Sequence, residues 1–470
     1  MKCRNEHDTL GKVKVPRDAY YGAQTQRAVE NFAVSGLRLP AEFVRAQAVI
    51  KRAAAKANMT AGSLERKIGK ALVAAADEIM EGKFVDQFVV DVFQAGAGTS
   101  QNMNINEVLA NRANELLGGE RGVYDLVHPN DHANMAQSTN DTIHAAIHIA
   151  AVCEIHDRLS PAAGRLATAL EKKAAEFDHI IKAGRTHLQD AAPVRLGQEF
   201  GAYASMIRQG QRRIEAACDG LKPLCIGGTA VGTGLNTDPE YRTRVLTHIN
   251  EATGHTFTSA DNLFEAMQGM DAVVEMAGAL RVLVTSLRKI ADDLRLLASG
   301  PRSGLAEIRL PAVQPGSSIM PGKVNPVMAE MLNMVCFHCL GCDAAIVSAA
   351  QAGQLELNVM MPVIAYNLLE EIAILAGAIE AFTCRCVDGI EANEEACRAG
   401  AERSLALATA LNPAMGYDAA AKLAQEALRT NTSIRELARA KKVLDEDQLD
   451  KLLDLRRMTE DPGLTGNRGS

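Results

Sequence analysis

The stretch at residues 261–299, DNLFEAMQGMDAVVEMAGALRVLVTSLRKIADDLRLLAS, is the longest helical pattern in this chain. Apolar residues recur three or four positions apart along it, and only Gly269 and Gly278 interrupt the pattern. One continuous helix over this stretch would be roughly 55–60 Å long at the usual helical rise. Because a compact single domain does not need so long a helix, the stretch predicts a helix bundle or a core shared between subunits.

Most of the chain outside this stretch also has a helical pattern. Further helices are expected at 41–83, 107–117, 141–182, 197–218, 326–350 and 355–385. Strand-like alternation is scarce, and aromatic residues make up 4% of the chain, with no Trp. The sequence therefore predicts an all-α fold.

Three domains are expected from the arrangement of long and short apolar segments. They are a mostly helical N-terminal domain at 1–140, a central long-helix bundle at 141–390 and a small helical domain at 391–470. Residues 1–45 have few periodic apolar positions and are expected to form an irregular arm. Ser433 and Glu436 form a capping-box signature, and residues 464–470 are expected to be disordered.

The composition limits the classes of function. The chain has 470 residues and a formal net charge of −7, so neither nucleic acid nor an anionic membrane surface is expected as a partner. No apolar signal segment follows the polar N-terminus, and no run of about 18 apolar residues occurs, so no membrane span is predicted. The ten cysteines are scattered along the chain, which favours reduced thiols in a cytoplasm.

Four short polar loops separate the apolar helices, at 96–106, 128–141, 184–190 and 316–326. The last, GSSIMPGKVNP, offers hydroxyls, an ammonium, an amide and free backbone N–H groups, which together can hold an anion. It differs from a phosphate-binding P-loop, because five residues separate Gly316 from Gly322 and Val324 follows Lys323. The sequence favours a flexible catalytic loop that binds a carboxylate, and the alternative is an ordinary surface connection.

Two groups of residues could in principle hold a metal. His128 and His132 are four positions apart, but Pro129 makes a helix there unlikely. Cys336, Cys339 and Cys342, with His338 among them, are spaced like an iron–sulfur run that lacks its fourth cysteine. On a helix these three cysteines would form one stripe, so buried thiols are predicted and no metal is expected.

No cofactor is expected either. The glycine-rich segment at 227–236 follows no predicted strand, which excludes a dinucleotide-binding fingerprint. The remaining hydroxyl, amide, His, Lys and Arg donors suit a small substrate with two carboxylates. They also suit proton abstraction next to a carboxylate, where the negative charge moves onto the carboxylate oxygens as an enediolate.

The GSSIMPGKVNP loop resembles the signature of the fumarase/aspartase superfamily. Five other segments resemble family segments in the family's order: YYGAQTQRA at 20–28, GTSQNMN at 98–104, QSTND at 137–141, GRTHLQD at 184–190 and GGTAVGTGLN at 227–236. The resemblance implies an all-α homotetramer with a central bundle of long helices. It also implies that each active site is shared by three subunits, which contribute the loops at 99–140, 184–190 and 316–326.

The same resemblance assigns roles to individual residues. Ser317 would be the general base that removes the Cβ proton, and Glu330 would hold His187 charged. The catalytic set is Ser317, His187, Lys323 and Glu330. The substrate-binding set is Thr99, Ser138, Thr139, Asn140, Thr186, His187, Ser318, Met320, Lys323 and Asn325. A possible second anion site comprises His128, Asn130 and Asp131. Without these roles, Ser317 would be a helix-capping hydroxyl and Glu330 a solvated helix charge.

Within the superfamily, four features are similar to aspartases: Thr139, the Gln354–Leu355 pair, YYG at 20–22 and GAGTS at 96–100. GAQTQR at 22–27 and HPND at 128–131 are similar to fumarases, and IHAA at 143–146 departs from both groups. The expected reaction is reversible anti elimination of ammonia from L-aspartate to give fumarate. The alternatives are hydration of fumarate to malate and a catalytically silent helical binding protein, which the intact Ser317 and Lys323 disfavour.

Overall fold

The computed structural model of the protein describes residues 2–460, and within them it is mostly helical. This confirms the all-α prediction. The helices, in chain order, are α1 (Ala23–Asn31), α2 (Ala41–Ala61), α3 (Arg66–Met80), α4 (Thr99–Leu116), α5 (Thr139–Glu154), α6 (Ser160–Glu176), α7 (Leu196–Leu221), α8 (Tyr241–Thr253), α9 (Leu263–Gln268), α10 (Asp271–Leu297), α11 (Val327–Ala350), α12 (Met361–Arg385), α13 (Glu394–Arg403), α14 (Asn412–Met415), α15 (Tyr417–Thr430), α16 (Ile434–Ala440) and α17 (Glu446–Leu452).

The strands among residues 2–460 form short two-stranded sheets. Three pairs are antiparallel and one is parallel. The antiparallel pairs are β1 (Cys3–Asp8) with β2 (Gly11–Pro16), β3 (Ile181–Thr186) with β4 (Gln189–Arg195), and β7 (Ile308–Arg309) with β8 (Glu391–Ala392); the parallel pair is β5 (Pro223–Leu224) with β6 (Thr258–Ser259).

The chain divides into two compact units, each built from three separate segments. Unit 1 comprises residues 2–161, 210–284 and 335–377, and unit 2 comprises 162–209, 285–334 and 378–460. All but one of these divisions fall inside the long helices α7, α10, α11 and α12, and the remaining one falls near the start of α6. The three-domain boundaries expected from the sequence remain a prediction.

The predicted helix at 261–299 is two helices. Gly269 ends α9 with an extended backbone (φ −79°, ψ 143°), and α10 begins at Asp271. α10 is 27 residues long, or about 40 Å at the usual rise. Its buried residues recur at helical spacing, as expected: Val273, Met276, Ala277, Leu280, Leu283, Leu287, Ile290 and Leu294.

Four other segments differ from the sequence expectations. The expected irregular arm at 1–45 contains the β1–β2 hairpin and α1, and Val13 and Val15 point into a small core. The expected polar loop at 96–106 ends at Thr99, because α4 begins there and buries the amides of its first turns. The polar segment at 184–190 is a hairpin turn between β3 and β4, and residues 129–133 form a helical turn that begins at Pro129.

Two smaller expectations have mixed outcomes. The capping box before α16 is confirmed, since Ser433 N donates to Glu436 Oε2 (3.0 Å) and Glu436 N donates to Ser433 Oγ (3.2 Å). The glycine-rich segment at 227–236 does follow a strand, contrary to expectation, but β5 has only two residues and the next helix starts at Tyr241. The expected disorder at 464–470 lies outside the described residues.

The helices α11 and α12 are the most apolar of the fold. By length and composition alone the segments Val327–Ala350 and Met361–Gly389 could cross a membrane, although core helices of soluble proteins meet the same criterion. The segment at 361–389 is 61% buried in its most apolar window, whereas that at 327–350 is only 39% buried. α11 therefore presents an apolar face to solvent, on which Met334 is 64% exposed.

Candidate active site

In unit 1, a set of candidate substrate-binding residues lies at the starts of two helices. Ser138 is the N-cap of α5, and its Oγ accepts a hydrogen bond from Asn140 N (3.2 Å). Thr139 is the first residue of α5 and Thr99 the first of α4. The first turn of a helix carries a partial positive charge, so both positions favour an anion. We call Thr99, Ser138, Thr139 and Asn140 the helix-start group.

Buried Asp141 fixes this group to the glycine-rich segment. Its Oδ1 accepts from Ser138 N (2.9 Å), and its Oδ2 accepts from Gly227 N and Thr229 N (3.0 Å each). Asn140 adds a bond from its Nδ2 to Ala230 O (2.7 Å). Burial raises the pKa of Asp141 to about 6, and the three backbone donors oppose this rise.

A buried lysine network lies beneath Thr139. Lys51 Nζ donates to Asn102 Oδ1 (2.8 Å) and to Asn134 Oδ1 (2.9 Å), and Asn102 Nδ2 donates to Thr139 Oγ1 (3.1 Å). Because Thr139 Oγ1 accepts this bond, its own proton remains available to a substrate. Burial lowers the pKa of Lys51 to about 7, and the charge of Asp141 partly offsets this.

The start of α4 is held by a strained backbone. Ala97 (φ 58°) and Gly98 (φ 80°) are both left-handed, and Ala97 N donates to Val359 O (2.8 Å). Thr99 follows them, is exposed, and donates to Gly96 O (3.2 Å). A non-glycine residue with positive φ costs about 1 kcal/mol or more, and such strain is typical of functional sites.

In unit 2, residues 316–326 form a tight exposed loop, which we call the Ser317 loop. Ser317 Oγ accepts hydrogen bonds from Ile319 N (3.3 Å) and Met320 N (3.0 Å). Lys323 Nζ donates to Asn325 Oδ1 (2.7 Å), and Asn325 Nδ2 donates to Gly316 O (3.0 Å).

The loop requires glycine at its closing position. A Cβ at Gly316 would lie 1.8 Å from Lys323 O, so no other residue fits without opening the loop. Gly322 has φ 81°, which favours glycine as well. Near the tip Ser318 is exposed, Met320 is 49% exposed, and Ile319 exposes 83% of its area.

Thr186 and His187 lie at the β3–β4 turn, also in unit 2, and both are exposed. His187 (φ 54°) and Leu188 (φ 59°) are consecutive left-handed residues, as in the tight hairpin turns that usually contain Asn and Gly. The hairpin is anchored below by buried ion pairs, in which Glu307 contacts Lys182 Nζ (3.1 Å) and Arg185 Nη1 (2.9 Å). The strained turn is therefore held at a fixed place in unit 2.

The remaining candidates are arranged as follows. Glu330 lies in the first turn of α11, and among residues 2–460 no hydrogen bond or ion pair joins it to His187. The predicted effect of Glu330 on His187 therefore has no support within one chain. His128 Nδ1 accepts from Asn130 N and Asp131 N (3.3 Å each), in a groove that also contains the Glu107 carboxylate. The second anion site stays a prediction.

Sequence reasoning missed Lys51 as part of this site. The residue lies inside the Ala-rich helical pattern at 41–83, and only its position on the apolar face could have indicated burial. It also placed Asn102 in a loop, whereas this amide lies in α4 and contacts Thr139.

Comparison with known proteins gives consistent matches along the chain. The family model described as Lyase matches residues 11–341, and the model described as Fumarase C C-terminus matches residues 407–460. An aspartate ammonia-lyase from Bacillus sp is 50% identical over 465 residues, which is 99% of both chains. A class II fumarate hydratase from Halobacterium salinarum is 53% identical over 464 residues, covering 99% of this chain and 98% of the relative.

Solved structures agree with these matches. A fumarate lyase:delta crystallin from Brucella melitensis, bound to cobalt, has a TM-score of 0.94 and 48% sequence identity; the match covers 98% of this chain and 100% of that chain. Relatives of both activities are thus about equally similar to this sequence.

Proposed function

The chain belongs to the fumarase/aspartase superfamily of lyases, and from that membership we propose that it deaminates L-aspartate reversibly to fumarate and ammonia. The substrate is a small dicarboxylate, and elimination requires no cofactor. The Cβ–H and Cα–N bonds break on opposite faces of the substrate, and the Cα–Cβ double bond forms.

In this proposal the helix-start group binds a carboxylate of the substrate. The partial positive charges at the starts of α4 and α5 favour it. The hydroxyl of Thr139 donates to a carboxylate oxygen. Its proton is free to do so because Thr139 Oγ1 already accepts a hydrogen bond from Asn102. Lys323 and Asn325 bind carboxylate oxygens on the other side, and Ser318, Met320 and Thr186 complete the contacts.

Ser317 is the proposed general base, and one observation carries this assignment. Its Oγ accepts two backbone N–H bonds, from Ile319 and Met320, and bonds of this kind favour an ionised hydroxyl over a neutral one. The oxyanion takes the Cβ proton, the electron pair moves into the adjacent carboxylate as an enediolate, and collapse of the enediolate expels the protonated amino group from Cα as neutral ammonia. His187, charged beside Glu330 of another subunit, stabilises the negative charge.

The proposal includes a cytoplasmic homotetramer whose active sites are shared by three subunits. The partly exposed apolar helices support this part, because Met334 on α11 is 64% exposed and Leu296 on α10 is 40% exposed. Packing of these helices against those of other subunits would bury such residues, as in helix bundles.

L-aspartate is preferred to L-malate as substrate because Thr139, the Gln354–Leu355 pair and the segments at 20–22 and 96–100 are similar to aspartases. Class II fumarase is the second candidate. It is favoured by the HPND segment at 128–131 and by the 53% identity to the Halobacterium salinarum enzyme.

An assay of fumarate absorbance with three substrates tests the proposal. L-aspartate should give turnover, and D-aspartate, which presents the amine on the wrong face, should give none. Turnover of L-malate alone would replace the first candidate with the second. No turnover of L-aspartate or L-malate would favour a silent binding protein, against which the intact Ser317, Lys323, His187 and Asn140 argue.

A further inference from the structure

A cluster of metal-ligating side chains lies between α11 and α12, in the part of both helices that belongs to unit 1. His338 and Cys342 are one turn apart on α11, and Glu370 is on α12. One potential ligand atom from each of the three residues lies within 4.8 Å of the others. None of the three residues has a role in the proposed elimination.

The glutamate is already oriented towards the cluster. Tyr366 OH donates to Glu370 Oε1 (3.1 Å) from one turn earlier on α12, and Glu370 Oε2 lies 3.3 Å from His338 Nε2. Hydrogen bonds to the second oxygen of a carboxylate commonly orient metal ligands in this way. Cys342 closes the cluster from the buried side, with only 3% of its area exposed.

Among the described residues, two further carboxyl groups with unpartnered oxygens lie next to cluster residues along the chain. Glu371 is fully buried, and neither of its carboxylate oxygens has a hydrogen-bond partner within residues 2–460. Glu371 directly follows Glu370 on α12. Asp343 is paired with Arg281 (2.8 Å) through Oδ2, while its buried Oδ1 has no partner in the same part of the chain. A buried carboxylate without a partner is costly, and a nearby cation offsets that cost.

We propose that His338, Cys342 and Glu370 bind a divalent transition-metal ion of the zinc class. Imidazole nitrogen, thiolate sulfur and carboxylate oxygen are the ligands that Zn²⁺ takes in proteins, whereas thiolate does not suit Mg²⁺ or Ca²⁺. In a tetrahedral site the ligand atoms are about 3.5 Å apart, so the cluster needs to close by only about 1 Å. The fourth position is open to water, and the ion links α11 to α12 without a part in elimination.

The site also explains the cysteine spacing in the sequence. Cys336, Cys339 and Cys342 do form the buried stripe that their spacing predicts, and two of them remain ordinary buried thiols. The third differs because α12 brings a carboxylate to it and α11 an imidazole. These contacts depend on the packing of the two helices and are absent from the local pattern.

Titration of the purified, metal-free, full-length protein with Co²⁺ tests the site. Cobalt bound to a thiolate gives a near-ultraviolet charge-transfer band and visible bands whose intensity reports tetrahedral geometry. The wild type should bind one Co²⁺ per chain with such a band, and added Zn²⁺ should displace it. Cys342→Ser should abolish the band, and His338→Gln should weaken Co²⁺ binding by at least about tenfold.

Two matched variants provide controls. Cys218→Ser removes another buried thiol of unit 1, and His248→Gln removes another histidine that faces a glutamate (His248 Nδ1 to Glu251 Oε2, 2.9 Å). Both should titrate like the wild type. His338→Gln keeps an uncharged polar side chain at this position, so it should fold even if Cys342→Ser does not. Failure of the wild type to show a thiolate band, or a band retained in Cys342→Ser, would overturn the proposal. The readout is metal binding, so it is independent of the lyase assay.

Discussion

The helix-start group and the Ser317 loop are built in opposite ways. The helix-start group rests on buried Lys51, Asn102 and Asp141, whose bonds join α2, α4, α5 and the glycine-rich segment. Among residues 2–460, the side-chain hydrogen bonds of the Ser317 loop stay within the loop, which is largely exposed. In the proposed mechanism, a buried framework recognises a carboxylate and an exposed loop with internal side-chain bonds carries the base.

The largest expected effect is on the base. Ser317→Ala should lower kcat about 10²–10⁴-fold, because general-base catalysis contributes that much, while the fold stays intact. Fumarate absorbance with saturating L-aspartate measures the loss, and circular dichroism checks the fold. Ser348→Ala removes an exposed hydroxyl on α11 and should leave kcat unchanged. Near-normal turnover of Ser317→Ala would show that Ser317 is not the base. The loop would then have no catalytic role distinct from that of the helix-start group.

The next effect tests the rigidity of the helix-start group. Asp141→Asn should cost about 3 kcal/mol of stability, because an amide NH₂ then faces backbone donors that lose their acceptor. Thermal unfolding at fixed protein concentration measures the loss. Asp91→Asn is a matched control, since the Asp91 carboxylate also accepts from backbone N–H groups, those of Ser35 and Gly36. Both variants should lose stability, but only Asp141→Asn should also raise KM.

A smaller effect concerns carboxylate binding by the Ser317 loop. Lys323→Met should raise KM for L-aspartate about 10- to 100-fold, the value of one charge-assisted hydrogen bond. Lys172→Met removes an exposed ammonium from α6 and should leave KM unchanged. An unchanged KM in Lys323→Met would show that the loop takes part in the reaction but does not bind a substrate carboxylate through Lys323.

The last effect is a pH dependence of stability that comes from Lys51, and it is the smallest over any single pH unit. Burial lowers the pKa of Lys51 from 10.5 in the unfolded chain to about 7 in the folded protein. Between these values the unfolded chain binds more protons, so stability rises with pH by up to about 1.4 kcal/mol per pH unit from this group. Lys51→Met should remove that slope, whereas exposed Lys70→Met should keep it. Unfolding midpoints between about pH 7 and pH 10 measure it. Equal slopes in all three proteins would mean that Lys51 is not the titrating group.

Local patterns predicted the parts of this molecule that local forces build. The spacing of apolar residues in α10 and the Ser433–Glu436 capping box needed only neighbours along one helix. The Ser317 loop is also built by local contacts, because its side-chain hydrogen bonds stay within the loop. Its composition alone predicted a segment that can hold an anion.

Features that depend on packing were missed. Lys51 looks like any lysine in an Ala-rich helix, and only the burial of α2 against α5 and α8 makes it part of a site. The segment at 184–190 was expected to be a loop because it is polar, whereas the structure has a hairpin with its turn at His187 and Leu188, anchored by the buried ion pairs of Glu307. Which dicarboxylate reacts also depends on such contacts, and for that reason sequence identity to both kinds of relative leaves the substrate to experiment.

The interleaving of the two units has a consequence for engineering this enzyme. Each unit is assembled from three chain segments, and four of the five divisions fall within long helices. A single crossover between this gene and that of a homologous lyase would therefore recombine parts of both units, and neither unit can be obtained by truncation. Transplanting the helix-start group with its complete framework requires a chimaera that exchanges all three segments of unit 1 together.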